Sequence, residues 1–575
     1  MRRFLVVFAL ALLACQATSQ AFLPATGREA RIDQAATATP ILSPTVRPTA
    51  TSPPTASPTP AALAVPTYLP TIPEQRGFTT RYHPDGPLYV GDRVSIEVIA
   101  PEGFGTEGKK VQIFLGDDPQ DAIGSAEFSA YGIGGRPQAT FLWAWDTSGL
   151  TSGEYTLSFA VLPDGLAWSE VIRLHPAADV PPPEPFARWE TVETACCRLH
   201  YITGTEAERD LEEIIATANA AAREASRQMG VGFETTVSIT LVPRVVGHGG
   251  FASDEIFISY LDRNYAGNDL PQVLLHEMIH VLDSQIGGEL RPSILVEGLA
   301  VYLAGGHFKK EPIFPRAAAL LEAGWYLPLG ELADTFYTSQ HEIGYLEGAA
   351  LVAFLVETYG REGFEAFYRD IRPQSGGEQS RAIDAAIQAH FNLTLAQVEQ
   401  EFKQALRRQP VDPVQSEDLQ LSIAFYDTVR RYQRALDPSA FFLTAWLPDG
   451  GEMRERGIVA DYLRRPRSAG NQVIESLLVE ADEALRAGDY PEARSALERA
   501  NRQLDWLEYP APAPVQGSFI LLLAVLHGDF RLKKPGYPRP SGSLPVRRSA
   551  GSSSQARLPR SANCSSTWRS STEVV

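Results

Sequence analysis

Residues 274–283, LLHEMIHVLD, constrain this chain of 575 residues more than any other stretch. The residues around His276, Glu277 and His280 are apolar, which predicts a helix buried in a core. Two histidines four residues apart leave the same face of a helix, because each residue turns it by about 100°. Imidazole nitrogens in this arrangement are typical metal ligands, and Glu277 can reach a water beside the metal without binding the metal itself. The stretch therefore predicts a metal site on a buried helix.

A second apolar run offers a third ligand. Residues 292–302, PSILVEGLAVY, contain a single acid, Glu297. A carboxylate buried in such a run is unfavourable unless a positive charge neutralises it. A metal ion held by His276, His280 and Glu297 supplies that charge, so we expect one zinc ion per chain, with water completing its shell.

The motif HExxH, followed after sixteen residues by EGLA, resembles the gluzincin clan of zinc metallopeptidases, in particular the peptidase MA-like bacterial proteins. The resemblance covers about residues 190–408 and implies that Glu277 is the general base. It implies the metal ligands His276, His280 and Glu297. Thermolysin-like members of the clan carry an acid four residues after the ligand glutamate, which orients a histidine, and here that position is Val301.

The resemblance also implies further site residues. The last strand before the zinc helix is an edge strand in the clan and pairs with extended substrate. On residues 255–260 this implies a substrate-binding strand with the residues Glu255, Ile256, Phe257 and Ile258. Tyr345 is the candidate donor of a hydrogen bond to the developing oxyanion, and the alternative is an aromatic residue packed in a helix core. His341 is a weaker candidate for the same task, and His248, in a glycine-rich turn, is more simply structural.

The chain is too long for one hydrophobic core, so we expect a multidomain protein. Residues 94–98 and 155–161 alternate apolar and polar residues, which is typical of half-buried strands and favours an Ig-like β-sandwich. An α+β zincin-like metallopeptidase domain and a C-terminal helical region follow it. The predicted segments are a lipoprotein signal peptide (1–15), a disordered Thr/Pro-rich linker (16–75), the β-sandwich (76–178), the gluzincin-like domain (186–410), the helical region (411–510) and a disordered tail (511–575).

Local signals predict several helices within these segments. Thr205 and Glu208 form the pattern of a capping box that opens one helix ending at Met229. Asp269 is a candidate N-cap for the zinc helix, and Pro271 suits its first turn. Residues 473–486 and 490–507 predict one helical hairpin of the tetratricopeptide kind, without a second copy.

The first fifteen residues resemble a bacterial export signal. A basic start, Arg2 and Arg3, precedes the apolar residues 4–14, which are too few to span a bilayer. Residues 12–15, LLAC, resemble a lipobox, so we expect Cys15 to be acylated and to anchor the protein on the outer face of a bacterial cell membrane. The alternative is an ordinary signal peptide that is cleaved nearby.

Charge and cysteine content exclude some classes of protein. A formal net charge of −18 argues against nucleic acid as a partner, and four cysteines in 575 residues exclude a disulfide scaffold. Cys196 and Cys197 are adjacent, and because a bond between neighbours is rare we expect two thiols.

These observations together predict an exported, membrane-anchored zinc metallopeptidase that hydrolyses peptide bonds in a peptide or protein substrate. The alternative is a non-catalytic zinc-containing surface protein that binds a wall polymer or a partner. The presence of Glu277 favours the first hypothesis, because a structural metal site needs no general base.

Overall fold

The computed structural model describes residues 77–116, 122–247, 249–261 and 269–508. The predicted signal peptide, the acylated Cys15, the linker, His248 and the tail 511–575 lie outside the described residues. Among the described helices, none is both long enough and apolar enough to cross a membrane.

Two β-sheets that pack face to face form the N-terminal part of the described chain. One sheet has the strand order β1-β3-β7-β6 and the other β2-β9-β8-β4-β5. Both sheets contribute to one core, in which Val94 and Ile96 meet Val111 and Phe159. An Ig-like topology stays a prediction. The strands are β1 (Thr79–His83), β2 (Leu88–Tyr89), β3 (Arg93–Ile99), β4 (Lys110–Leu115), β5 (Ala122–Glu127), β6 (Ser129–Tyr131), β7 (Arg136–Asp146), β8 (Gly153–Leu162) and β9 (Leu166–His175).

A third sheet lies beside the helix that carries the HExxH motif, with the order β10-β11-β12-β14-β13. Its strands β11, β12 and β14 are parallel, and β10 and β13 are antiparallel to their neighbours. The prediction that residues 255–260 form the edge strand is therefore wrong, because the short strand β13 covers β14 on that side. The strands are β10 (Trp189–Glu193), β11 (Cys197–Ile202), β12 (Val237–Val242), β13 (Gly250–Ala252) and β14 (Ile256–Ser259).

The helix predicted to open with a capping box is divided into α1 (Glu206–Arg209) and α2 (Leu211–Met229). The capping box itself is wrong, because the Thr205 hydroxyl donates to the carbonyl of Ile202 and so does not cap the helix. The Glu208 carboxylate instead accepts from the backbone N–H of Gly204. The side chain thus secures the turn that precedes the helix.

Helices α3 to α9 complete the part of the chain that carries the gluzincin resemblance. They form one continuous core with α2 and the third sheet. Element α7 (His341–Arg369) consists of two helical stretches that meet at a break at Gly360, where φ is +75°. The helices are α3 (Leu270–Ile286), α4 (Ser293–Ala304), α5 (Ile313–Glu322), α6 (Leu329–Thr335), α7 (His341–Arg369), α8 (Gln379–Phe391) and α9 (Leu395–Arg407).

The C-terminal described helices pack on α10 (Pro413–Leu436). The predicted hairpin is present as α13 (Ala469–Ala487) and α14 (Tyr490–Glu508), and it shares its core with α10. Short helices, α11 (Gly450–Arg456) and α12 (Ala460–Leu463), lie between α10 and the hairpin. The hairpin is thus the outer part of a three-helix layer.

Cys196 and Cys197 are joined by a disulfide bond, so the prediction of two thiols is wrong. The pair lies where β10 turns into β11, and the Thr194 hydroxyl accepts from the backbone N–H groups of both cysteines. The turn thus holds the two residues together, which adjacency in sequence does not reveal.

Candidate metal centre

The zinc helix α3 is positioned by its cap and its apolar faces. The Asp269 side chain accepts from the backbone N–H of Gln272, and Pro271 occupies the first turn, as the sequence predicts. Leu274, Met278 and Ile279 are buried in the core that α3 shares with α2 and α4. Because these apolar side chains are buried, the side of α3 that carries His276 and His280 is turned toward α4.

Helix α4 brings Glu297 to the same point. Its Oε2 atom lies 3.2 Å from the Nε2 atoms of both His276 and His280, and the two Nε2 atoms are 3.0 Å apart. The close crossing of α4 and α7 supports this placement, because a Cβ at Gly298 would lie 2.5 Å from the backbone carbonyl of Gly348. The structure thus brings together the three predicted ligands.

The three donor atoms fit a zinc ion. Ligands about 2.0–2.1 Å from a tetrahedral metal are roughly 3.3 Å apart, close to the separations seen here. Their side chains are only 10–15% exposed. Although burial alone would raise it, the neighbouring His280 and His276 hold the pKa of Glu297 well below its ordinary value, so a carboxylate faces two imidazoles. Two nitrogens and one oxygen are a donor set typical of zinc.

Glu277 lies beside this cluster. Its carboxyl is buried, and burial raises its pKa to about 7, helped by Glu297 and opposed by His276. A group with this pKa can both accept and return a proton near neutral pH. Gly250, in strand β13, packs directly on it, since a Cβ there would lie 2.7 Å from Oε1 of Glu277.

Tyr337 is a site residue that the sequence analysis missed. Its hydroxyl donates to Oε1 of Glu297 at 2.8 Å, from a short 3₁₀ turn that precedes α7. Burial and the Glu297 carboxylate raise the pKa of Tyr337 well above its ordinary value, so the phenol keeps its proton. Tyr337 therefore fixes the carboxylate oxygen that does not face the histidines. The only signal in the sequence is an aromatic pair, residues 336–337.

Tyr345 lies near the cluster but packs among rings. Its ring centroid is 6.3 Å from that of His276 and 4.4 Å from those of His307 and His341. The role of Tyr345 as a hydrogen-bond donor to an oxyanion stays a prediction, as does that of His341. Both side chains are buried.

The position of the histidine-orienting acid of thermolysin-like proteins is occupied here by Val301, which is apolar and buried in the core. Within the described residues, the Nδ1 atom of His280 is buried and has no hydrogen-bond partner.

The residues predicted to bind substrate do not line an edge. Ile256 and Ile258 are buried in the core with the zinc helix, and Phe257 is buried on the other face of the sheet. The Glu255 carboxylate accepts from the Thr240 hydroxyl at 2.8 Å and pairs with Arg454 at 3.0 Å. Strand β13, which is half exposed, takes the place at the edge that was predicted for β14.

Comparisons with known proteins give distant similarities to solved structures. No protein-family model and no curated protein matches the chain. Among solved structures, an aminopeptidase N family protein from Idiomarina loihiensis is similar over 58% of this chain and 77% of its own, with 12% identity and a TM-score of 0.27. A similarity this distant carries no argument about the fold or the activity of this chain.

Proposed function

We propose that this protein is a zinc-dependent peptidase. The observation that carries the proposal is the convergence of His276, His280 and Glu297 within 3.0–3.2 Å of one another, with the buried Glu277 beside them. A zinc ion held by these three residues would polarise the scissile carbonyl and lower the pKa of water at the site.

The chain's own residues have separate tasks in this proposal. Glu277 accepts the proton of the attacking water on its carboxylate and passes it to the amine that leaves. Tyr337 keeps Glu297 oriented through its hydrogen bond of 2.8 Å. The half-exposed edge strand β13 offers its backbone to an extended substrate, and Gly250 places that strand against Glu277.

Replacing Glu277 by Gln tests this mechanism. The variant keeps the size of the side chain and the three ligands, so zinc content should stay at one per chain. Cleavage of a mixed peptide library should fall by about 10²–10⁴-fold, the effect of a positioned general base. His276→Ala should lose the metal as well as activity.

Glu347→Gln is the matched control for the loss of a buried acid. Glu347 is also buried, but its carboxylate accepts from the backbone N–H of Leu327 and does not face the ligands. This variant should keep wild-type turnover. Full activity of Glu277→Gln at equal zinc content would rule out the proposed mechanism and favour a non-catalytic zinc protein.

The location we propose is the outer face of a bacterial membrane, with the acylated Cys15 as anchor. The basic and apolar residues before Cys15 support this proposal. Cys15→Ser should leave an exported protein that no longer partitions into detergent, because the acyl chains supply the membrane affinity. Unchanged partitioning would contradict the proposed anchor.

A further inference from the structure

The segment after α10 reaches the metal centre from outside the part of the chain that resembles gluzincins. The ring centroid of Phe442 lies 5.0 Å from that of His341 and 6.2 Å from that of Tyr337. Tyr337 in turn donates to the candidate ligand Glu297. Phe442 therefore lies next to Tyr337, the residue that contacts the candidate ligand Glu297. Phe442 is half-buried, so part of its ring faces solvent.

A buried cation holds the Phe442 ring in place. The guanidinium of Arg430 lies 4.3 Å from the ring centroid, a distance typical of a cation–π contact. Arg430 is 9% exposed and donates to the carbonyl of Gly247 and to the side chain of Gln433. Its charge is thus occupied within the protein, and the surface presented beside the site is the aromatic ring.

Helix α10 also contacts the segment that leads into β13. Arg430 and Gln433 donate to the carbonyl of Gly247 at 3.1 and 2.9 Å. Gly247 lies three residues before Gly250, the first residue of the edge strand β13. One helix therefore positions both the Phe442 ring and the approach to the strand that packs on Glu277.

The two-sheet unit supports the segment that carries Phe442. The backbone N–H of Gly134 donates to the carbonyl of Leu443 at 2.9 Å, and the Tyr131 hydroxyl donates to the carbonyl of Ala445 at 3.1 Å. Gly132, at φ +67°, lies so close that a Cβ there would clash with the Leu443 carbonyl oxygen and lie 3.0 Å from Cα of Thr444. Through these contacts, the turn between β6 and β7 holds the backbone of residues 443–445 in place.

We propose that Phe442 lines a subsite that takes a large apolar side chain of the substrate, next to the bond that is cleaved. The inference rests on the proposed peptidase function and adds a substrate class to it: polypeptides with a bulky aliphatic or aromatic residue beside the scissile bond. An aromatic ring with an exposed part favours an apolar side chain through the surface that it removes from water. The two-sheet unit then has a part in specificity, because it holds the segment that carries the ring.

The test compares Phe442→Ala with Phe441→Ala on peptide pairs that differ only in Leu or Phe against Ala beside the scissile bond. Phe441 is the matched control, since it is also half-buried and has a cation, Arg434, 5.1 Å from its ring centroid. The wild type should prefer the bulky peptides. Phe442→Ala should lower kcat/KM for these by about 10–100-fold, and by less than about threefold for the Ala peptides, with zinc content unchanged.

Phe441→Ala should keep the wild-type preference. An equal loss on both peptides of a pair in Phe442→Ala, a retained preference, or a wild type that cleaves without preference would overturn the subsite while leaving the peptidase function intact. A wild type that binds zinc but cleaves no peptide would overturn the proposed function, and the subsite with it.

A second pair of variants tests the role of the two-sheet unit. Gly132→Ala and Gly165→Ala both place alanine at a positive φ, +67° and +70°, but only the first puts a Cβ against residues 443–444. Both variants carry the same backbone strain. Gly132→Ala should reduce the preference for bulky side chains and Gly165→Ala should not. Equal selectivity of the two variants would overturn the link between the sheets and the subsite.

Discussion

Tyr337 shows how a single hydroxyl can orient a candidate metal ligand. It holds the Oε1 atom of Glu297 at 2.8 Å and so leaves Oε2 to face His276 and His280. Residues that orient a metal ligand in this way typically change metal affinity or activity by 10–100-fold when they are removed. Tyr337→Phe should therefore weaken zinc binding by about this factor, as measured by competition with a chelator.

Tyr345→Phe is the comparison for this variant. Its ring centroid is 6.3 Å from that of His276, and the hydroxyl that donates to Oε1 of Glu297 is that of Tyr337. Zinc affinity should stay close to that of the wild type in Tyr345→Phe. The assigned role of Tyr337 is wrong if the two variants bind zinc equally well.

The pH dependence of stability tests the raised pKa of a single buried residue, Glu347. Burial raises the pKa of Glu347 to about 9, above its ordinary value of 4.5. The folded protein thus holds a proton that the unfolded chain releases, so the contribution of Glu347 to stability falls as pH rises from about 4.5 to about 9. Glu347→Gln removes this loss and should be more stable than the wild type at pH 8.

The difference at pH 8 should be roughly a few kcal/mol, because one pKa unit corresponds to about 1.4 kcal/mol. It should vanish near pH 4, where Glu347 is protonated in both states. Denaturant unfolding of both proteins at the two pH values measures it, and a constant difference would contradict the raised pKa.

Single residues could be predicted only where their signal is local. His276, Glu277 and His280 share one helix, so their spacing alone places them together. Glu297 was found because it is the only acid in an apolar helix. Tyr337 reaches Glu297 across 40 residues from a short turn, and the aromatic pair at residues 336–337 does not by itself point to this contact. The disulfide between Cys196 and Cys197 likewise depends on the conformation of a turn, which adjacency in sequence does not reveal.

Strand β13 is the element whose place in the sheet matters most for the site. A Cβ at Gly250 would lie 2.7 Å from Oε1 of Glu277 and would also clash with Val273. Gly250→Ala must therefore shift the strand or the carboxylate. Turnover should fall by about 10²-fold, the typical effect of a misplacement of about 1 Å, while zinc content stays the same.

Gly232→Ala is the control for this change, because a Cβ there meets no atom within 4 Å. Steady-state kinetics on one peptide, with metal analysis of each variant, compare the turnover of Gly250→Ala with that of Gly232→Ala and the wild type. Wild-type turnover in Gly250→Ala would show that the strand does not constrain Glu277.

Elements could be predicted where caps and periodicity agree. The zinc helix begins at its predicted cap, and the two helices of the C-terminal hairpin were expected within a few residues of their observed ends. The order of the strands could not be predicted, since β13 has three residues and no alternation of apolar and polar side chains. A strand this short gains its place from pairing with β14, which is tertiary information.

At the scale of the whole molecule, three segments that are distant in sequence share one core. Trp143 of the first sheets, Val242 and Phe257 of the third sheet, and Met453 and Tyr462 of the C-terminal helices are buried together. Buried ion pairs cross the same boundary. The two-sheet unit is thus part of the folded body that carries the candidate site, which the predicted boundary between residues 178 and 186 did not indicate.

Arg464 forms one of these links. It lies after α12, is 6% exposed, and binds both oxygens of Asp92 at 2.6 and 2.8 Å as well as the Glu184 carboxylate. Removal of one partner from a buried ion pair leaves the other charge uncompensated and costs about 3–5 kcal/mol. Arg464→Met should therefore lower the stability of the two-sheet unit and of the domain with the metal site together.

Thermal unfolding followed by calorimetry and by tryptophan fluorescence measures this effect. The wild type should unfold in one transition, because the core that Trp143 shares with the third sheet and the C-terminal helices couples the two-sheet unit to the rest of the described protein. Arg494→Met is the control, since Arg494 and its partner Glu417 are 49% and 43% exposed and such pairs contribute about 0–1 kcal/mol. Arg464→Met should shift the single transition to lower temperature, or split it in two, and Arg494→Met should do neither. Equal behaviour of the two variants would mean that the two-sheet unit does not stabilise the rest of the protein. The support that the sheets give to the Phe442 segment would then have to come from the backbone contacts of residues 443–445 alone.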